Sequence, residues 1–391
     1  MKIKSTAAIM IILLLLITST TVFRLSRSSP DLEVTIKTDK QIYWPNETIT
    51  IYGNLTLNDG FFPYGLVAIE VDKPDGTPLT IRTTDTGRPI LEPELEIKSV
   101  EPCNAQGEPK TSFEKNSFAF FKVTIENYVF ETKQVLAVIN LIDNASCIID
   151  SSYALLTVPK ESYTTFLMSV LIKNDAAVGM AKVYASALTD FPKNNGTAYC
   201  LEKSAKIEII GAGPTKNQPE IVGTTEGWGR YNLTFRLAPS IPPGQFQIHS
   251  TSSLYYEIAH ASTTINVLAH DISIKHVSVS NIRFLPTGTL ETNVTLKNEG
   301  SFTETFTISF SYFDVTGHNN LIREETLTLD ANSKTIKSFE WTTPSGVWAF
   351  LIKIEVYPVS GEVDVFDNTY QFYIYSIPTV DGAHSSWHSL K

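Results

Sequence analysis

The chain has 391 residues, 42% of them hydrophobic and 18% charged, and a formal net charge of −10. That length holds two to four domains, and the apolar share excludes a disordered chain. A nucleic-acid partner is excluded as well, because phosphate binding needs a clustered Lys/Arg face and the sequence has none.

The first thirty residues read differently from the rest. Lys2 and Lys4 precede an unbroken apolar run from Ala7 to Ile17, which thins through Ser19 and Thr20 to Phe23 and is closed by Arg24 and Arg27. This is the pattern of an export signal over residues 1–30. The whole run, Ala7 to Phe23, spans 17 residues, the lower edge of what crosses a bilayer as a hydrophobic helix. Ser and Thr rather than Ala-x-Ala follow it, so a retained membrane anchor and a cleaved signal both stay open. Either way the remainder is expected outside the cell, at the cell surface, with the cell membrane as its first partner through this segment.

From Pro30 onward the chain reads as β-strands. Thr48 to Leu57 alternates strictly, with Ile49, Ile51, Leu55 and Leu57 on one face and Thr48, Thr50, Tyr52, Asn54 and Thr56 on the other, the pattern of a half-wet strand. Val34 to Thr38 precedes it; Leu66 to Val71 and Leu79 to Thr83 follow, set off by the turn signals Asn58-Asp59-Gly60 and Pro74-Asp75-Gly76. Four strands in one layer leave an apolar face uncovered. The expected partner begins at Ala212, with strands over Glu220–Thr224, Tyr231–Leu237, Gln245–Thr251 and Ser262–Leu268. Residues 31–91 and 212–268 are therefore expected to form one split sandwich, joined by the Pro/Gly-rich connectors Arg88–Glu94 and Gly211–Pro219. A plain linear array is the competing arrangement, and it leaves two half-sandwiches.

Residues 92–211 then stand as an inserted sandwich, with strands from Leu95–Val100 to Ala205–Ile210. Residues 269–376 repeat its order. Phe121-Lys-Val-Thr-Ile-Glu-Asn127 aligns with Thr292-Asn-Val-Thr-Leu-Lys-Asn298, and Leu156 to Ser162 with Leu327 to Ser333, as two copies of one seven-stranded unit would. The fold class is thus all-β: three immunoglobulin-like sandwiches, one inserted in another, after an N-terminal hydrophobic helix. Beyond Ser376 the pattern stops, and 377–391 reads as a disordered tail.

An exported chain keeps disulfides where thiols are not held reduced. If the first and last strands of 92–211 lie side by side, Cys103 and Cys200 meet and Cys147 is left over. Their bridge would close a loop of roughly a hundred residues and contribute about 4–5 kcal/mol. Three buried thiols are the alternative.

The C-terminal unit resembles the CARDB family, a cell-adhesion-related sandwich of microbial surface proteins, through Val294 to Gly300, Phe339-Glu-Trp-Thr-Thr-Pro344 and Val365-Phe-Asp-Asn-Thr369. The split domain resembles a macroglobulin-type sandwich through Thr38 to Thr48 and Gly229 to Leu237. The whole is similar to exported archaeal surface proteins that combine such modules. The resemblance implies folds and a location. It does not extend to the protease-trapping thioester of alpha-macroglobulins, because none of the three cysteines opens a Cys-Gly-Glu-Gln sequence.

Asn-x-Ser/Thr sequons stand at Asn46, Asn54, Asn144, Asn195, Asn232 and Asn293, all candidate glycosylation sites. Asn54, Asn232 and Asn293 are expected on the outward faces of strands. Nucleophilic catalysis requires a nucleophile and base in one constellation. The sequence offers no Gly-x-Ser-x-Gly, His-Glu-x-x-His or Cys-x-x-Cys, and its seven histidines scatter. No catalytic residues, cofactor or enzymatic activity are expected. Oxygen ligands for Ca²⁺ are conceivable near Asp364 and Asp367, with Glu362 and Asn368, although the spacing fits no defined loop and a solvated acidic turn is the plainer reading. Trp44 and Trp228 are the exposed-aromatic candidates; Trp341 and Trp348 read as core. The expected function is that of a non-catalytic surface protein acting in adhesion or cell-envelope structure. The alternatives are a surface module binding polysaccharide, peptide or other surface proteins, and an enzyme with an unrecognised site.

Overall fold

A computed structural model describes residues 31–376 except 89–92, 212–226, 255–256, 281–282, 285–286, 315 and 345–348. The expected N-terminal helix, the strand Glu220–Thr224 and the tail 377–391 lie outside the described residues. Within them the chain is β throughout, and the single helical element is the 3-10 turn Pro192–Asn194.

The alternation in Thr48–Leu57 does what the period-2 geometry requires: Ile49, Ile51 and Leu55 are fully buried and Tyr52 faces solvent. This strand anchors one sheet, pairing with Leu32–Val34, Lys37–Thr38 and Gly60–Phe61, and, across the sequence, with Arg230–Arg236. The facing sheet runs Ile42–Tyr43, Glu257–Val267, Gly244–Leu254, Leu66–Asp72, Pro78–Asp85. Both sheets therefore mix strands from before residue 88 and after residue 227, and Tyr43, Ile69, Tyr231, Phe235, Phe246 and Val267 share one core between them.

Residues 95–210 build two sheets of their own. Ser162–Ile172, Ser117–Asn127 and Leu95–Cys103 form three strands; Ile148–Val158, Lys133–Ile142, Gly179–Leu188, Lys203–Ile210 and Ser112–Glu114 form five. Residues 272–376 reproduce this arrangement. Lys334–Thr342, Thr289–Asn298 and Ile272–Val279 face Asn319–Leu329, Glu304–Phe313, Ala349–Val356, Thr369–Ser376 and Arg283–Phe284. Each five-stranded sheet ends in the same exception to antiparallel pairing: Ser112–Glu114 and Arg283–Phe284 both add in parallel to the last long strand.

The inserted sandwich lies flat on the outer one. Every residue of Leu66–Asp72 is buried, because its second face is covered by the inserted unit; Ala68 and Ile81 pack there against Leu136, Val138 and Leu188. Polar groups complete the junction. The fully buried Asn140 accepts from the Ile81 N–H and the Thr80 hydroxyl and donates to the Ile81 carbonyl at 2.7 Å. Its carboxamide thus supplies a further rung to Pro78–Asp85, the edge strand of its sheet, and closes that edge. Arg82 meets Glu202 through two bonds, with its guanidinium 3.6 Å from the centre of the Tyr184 ring. Lys193, from the 3-10 turn, donates its N–H to Glu70 at 2.8 Å and its ammonium to Asp72 and the Gly76 carbonyl.

At the other end of the outer sandwich, Trp44, His270 and Phe302 form a triangle of stacked rings with centroids 4.7–5.9 Å apart. It joins the outer sandwich, the connecting segment and the C-terminal sandwich.

Candidate binding surfaces

None of the three buried cysteines is in a disulfide, which corrects the expected Cys103–Cys200 bridge. The two strands assumed to be neighbours lie in opposite sheets: Leu95–Cys103 belongs to the three-stranded sheet and Lys203–Ile210 to the five-stranded one. Cys200 bonds to the Ile97 backbone, near the start of the strand that Cys103 ends. Six residues of strand separate Ile97 from Cys103, roughly 20 Å, far beyond the reach of a disulfide. Burial pushes the Cys200 thiol up to about 11 and raises Cys103 as well, so neither is a poised nucleophile. Cys147 sits against the Leu237 carbonyl.

Among the described residues the histidines do not assemble a site with a nucleophile. His249 and His260 lie on paired strands with ring nitrogens 3.2 Å apart and stacked rings; burial lowers the affinity of His249 for a proton. His270 bonds Glu304 beside the ring triangle. Among the described residues no three His, Cys, Asp or Glu side chains are disposed to hold a metal ion.

The acidic residues singled out for Ca²⁺ gather at the end of the C-terminal sandwich nearest the outer one. There Asp364 and Asp367 line a cleft of about 360 Å³ with Pro242, Asp271, Lys275 and Glu299. Lysine supplies the positive charge: the Lys275 ammonium bonds Asp367 at 3.1 Å and also reaches Glu299. Glu362 is tied down by the Ile272 and Val359 N–H groups and by the Asn368 amide, and Asp364 caps the Phe366 N–H. Asp271 is left with a buried oxygen that has no hydrogen-bond partner. Burial, reinforced by the carboxylates of Asp367, Glu299, Asp364 and Glu362, pushes its carboxyl up to about 8. Lys275 carries the structural argument here, and nothing in its own stretch of sequence marks it.

Of the sequons, Asn54 and Asn232 lie diagonally on adjacent strands of the wet face of the outer sandwich, each half-buried, with Thr56 and Thr234 on the same face. Asn293 is half-buried on Thr289–Asn298 and bonded to Ser338. Asn46 and Asn195 adopt left-handed backbone conformations in turns, and Asn195 is exposed. Asn144 contacts Gly179 in the inserted sandwich.

Trp228 is the most exposed of the described tryptophans, at 72%, whereas Trp341 is buried at 9%; Trp348 lies outside the described residues. Trp228 belongs to a group. Phe61 and Tyr64 are exposed beside it, and Arg88 lies 5.3 Å from the Tyr64 ring centre and 5.9 Å from that of Trp228. Trp228 is visible in the sequence as an aromatic between glycines; its neighbours come from separate turns and carry no such mark.

No protein-family model matches the chain, and no curated protein matches it. Among solved structures, the CARDB domain of a Pyrococcus furiosus protein, in complex with di-metal ions, is 18% identical over 28% of this chain and 90% of its own, with a TM-score of 0.23. A β-glucosidase of Erythrobacter marinus is 12% identical over 28% of this chain and 16% of its own, with a TM-score of 0.23. The native conformation of the E. coli alpha-2-macroglobulin is 12% identical over 89% of this chain, with a TM-score of 0.24, and this chain spans 23% of its length.

Proposed function

We propose that the chain is an exported, membrane-tethered surface protein without catalytic activity, in which three sandwiches, the first two locked together, act in adhesion or cell-envelope structure. The units are residues 31–91 with 212–268, the inserted 92–211, and 269–376. The observation that supports this reading is the burial of both faces of Leu66–Asp72, since a strand covered on its second face by another domain holds two domains in one orientation. A scaffold that presents a surface at a fixed distance from a membrane needs this stiffness; a catalyst needs a constellation of reacting groups instead.

The test is to shave intact cells with a protease and to compare a deletion strain with its parent. A surface scaffold is cleaved from outside while the membrane is intact, and its loss changes cell–cell or cell–substrate attachment, or envelope integrity. Protection from external protease in intact cells would overturn the location. Turnover of a substrate by the purified chain, lost on replacing a single described side chain, would overturn the non-catalytic role.

A further inference from the structure

We propose that the end of the outer sandwich bearing Phe61, Tyr64 and Trp228 rests on the lipid bilayer, with these rings at the level of the head groups. The proposal builds on the reading above that the apolar run Ala7–Phe23 tethers the chain.

Position comes first. The chain enters the outer sandwich at Leu32, which pairs with Leu57, and Asp31 exchanges hydrogen bonds with Asn58 in the turn that leads to Phe61. The separate turns that carry the rings are bonded into one surface: Leu55 N–H to the Gly229 carbonyl, Phe62 N–H to the Leu55 carbonyl, Gly229 N–H to the Thr86 carbonyl, and Arg88 N–H to the Pro63 carbonyl. Residues 24–31 alone separate Phe23 from Leu32, a connection that reaches at most about 28 Å fully extended. A tethered chain therefore keeps this end of the sandwich within that distance of the membrane.

Composition comes second. Trp228 is 72% exposed, Phe61 54% and Tyr64 43%. Water is an unfavourable neighbour for three such rings, whereas the head-group region accepts an apolar body with a polar edge. Arg88 donates to the Tyr64 hydroxyl at 2.6 Å, and the Arg230 guanidinium lies 5.7 Å from the Phe61 ring centre; guanidinium groups so placed meet lipid phosphates. Asp31, Asp59 and Asp85 lie on the same end, so this is no polybasic patch, and ring insertion rather than net charge carries the contact.

Backbone conformation comes third. Trp228 has φ of 57° between Gly227 and Gly229, both also at positive φ. A bulky residue in the left-handed region is disfavoured by contact of its Cβ with the backbone. Gly229 has no choice, since a Cβ there would lie 2.7 Å from the Phe62 nitrogen. The strained turn aims an indole outward, where it contributes nothing to the core.

The full chain is reconstituted in phosphatidylcholine vesicles carrying bromine near the top of the acyl chains, and flotation and tryptophan quenching are measured for the wild type and for Trp228→Phe. The expected result is flotation of both, quenching of the wild type relative to unbrominated vesicles, and loss of at least half of that quenching in Trp228→Phe. Flotation with identical quenching in the two proteins overturns the proposal and leaves the tether standing. Failure to float overturns the tether, and the proposal falls with it. Adding anionic phosphatidylglycerol should change the quenching less than twofold; a requirement for it would show that charge, not ring insertion, drives the contact, and would overturn that assignment.

Discussion

Asn127 and Asn298 make the same hydrogen bonds in two different sandwiches. Each is buried at the end of its strand; each donates its amide to the carbonyl four residues on, Glu131 or Phe302, and to the carbonyl thirty-one residues on, Val158 or Leu329. Each accepts an N–H from the residue two positions later, Val129 or Gly300. Replacing either by Ala strands buried carbonyls, so Asn127→Ala and Asn298→Ala should each destabilise their own unit by about 2–3 kcal/mol. Urea unfolding followed by fragment-resolved hydrogen exchange would show which unit loosens, and each variant should leave the other sandwich protected.

The Arg82–Glu202 pair ties the inserted sandwich to the outer one with both side chains largely buried, 8% and 16% exposed. Removing one partner leaves a buried charge, so Arg82→Met is expected to cost roughly 3 kcal/mol, and Arg82→Met with Glu202→Leu much less. Limited proteolysis should release the inserted unit faster from the single variant than from the double variant. Equal rates in the two would place the rigidity in the apolar patch alone.

Two raised carboxyls set a pH dependence. Asp271 is pushed up to about 8, by burial and then by its acidic neighbours, and Glu70 up to about 7, by burial above all. Both hold their protons more tightly folded than unfolded. Their contribution to stability is therefore complete below about pH 4 and is lost as pH rises toward 7 for Glu70 and 8 for Asp271. Asp271→Asn should flatten this slope and melt a few degrees above the wild type at pH 8.5. Thermal melts of both proteins from pH 5 to 9 check it; an unchanged slope would remove Asp271 as its source.

Thiol chemistry gives a further check. With Cys103, Cys147 and Cys200 buried and outside any disulfide, a thiol reagent should titrate three groups in denaturant and almost none in the native chain. Reductant should leave the melting temperature unchanged. A protein secreted by its host that titrates a single thiol would have formed a disulfide.

These outcomes separate what the sequence displayed from what it concealed. Thr48–Leu57 was legible because one wet face leaves its alternation intact. Leu66–Asp72 was legible as a strand, yet its second face reads as a mixture of Ala68, Glu70 and Asp72, and nothing local says that another sandwich covers it. The repeat could be read from Asn127 and Asn298 because a buried amide has few substitutes at that corner. The disulfide could not be read from spacing, since pairing depends on which sheet each strand joins and at which end each cysteine stands. Asn140 and Arg82 work across the junction, and their partners lie 59 and 120 residues away. Short pairings such as Ser112–Glu114 carry no periodicity at all.

The way the inserted unit is spliced into its host decides how the protein would bear tension. The chain leaves the outer sandwich after Asp85 and returns at Arg230, so in a chain tethered as proposed, force applied through the C-terminal sandwich would run from Leu32 through the outer sandwich to Val267. Residues 95–210 hang beside that line. They would then be spared while their host is pulled, and the load would fall on the short pairings of Leu32–Val34 with the strand Thr48–Leu57 and of Ile42–Tyr43 with the end of Glu257–Val267.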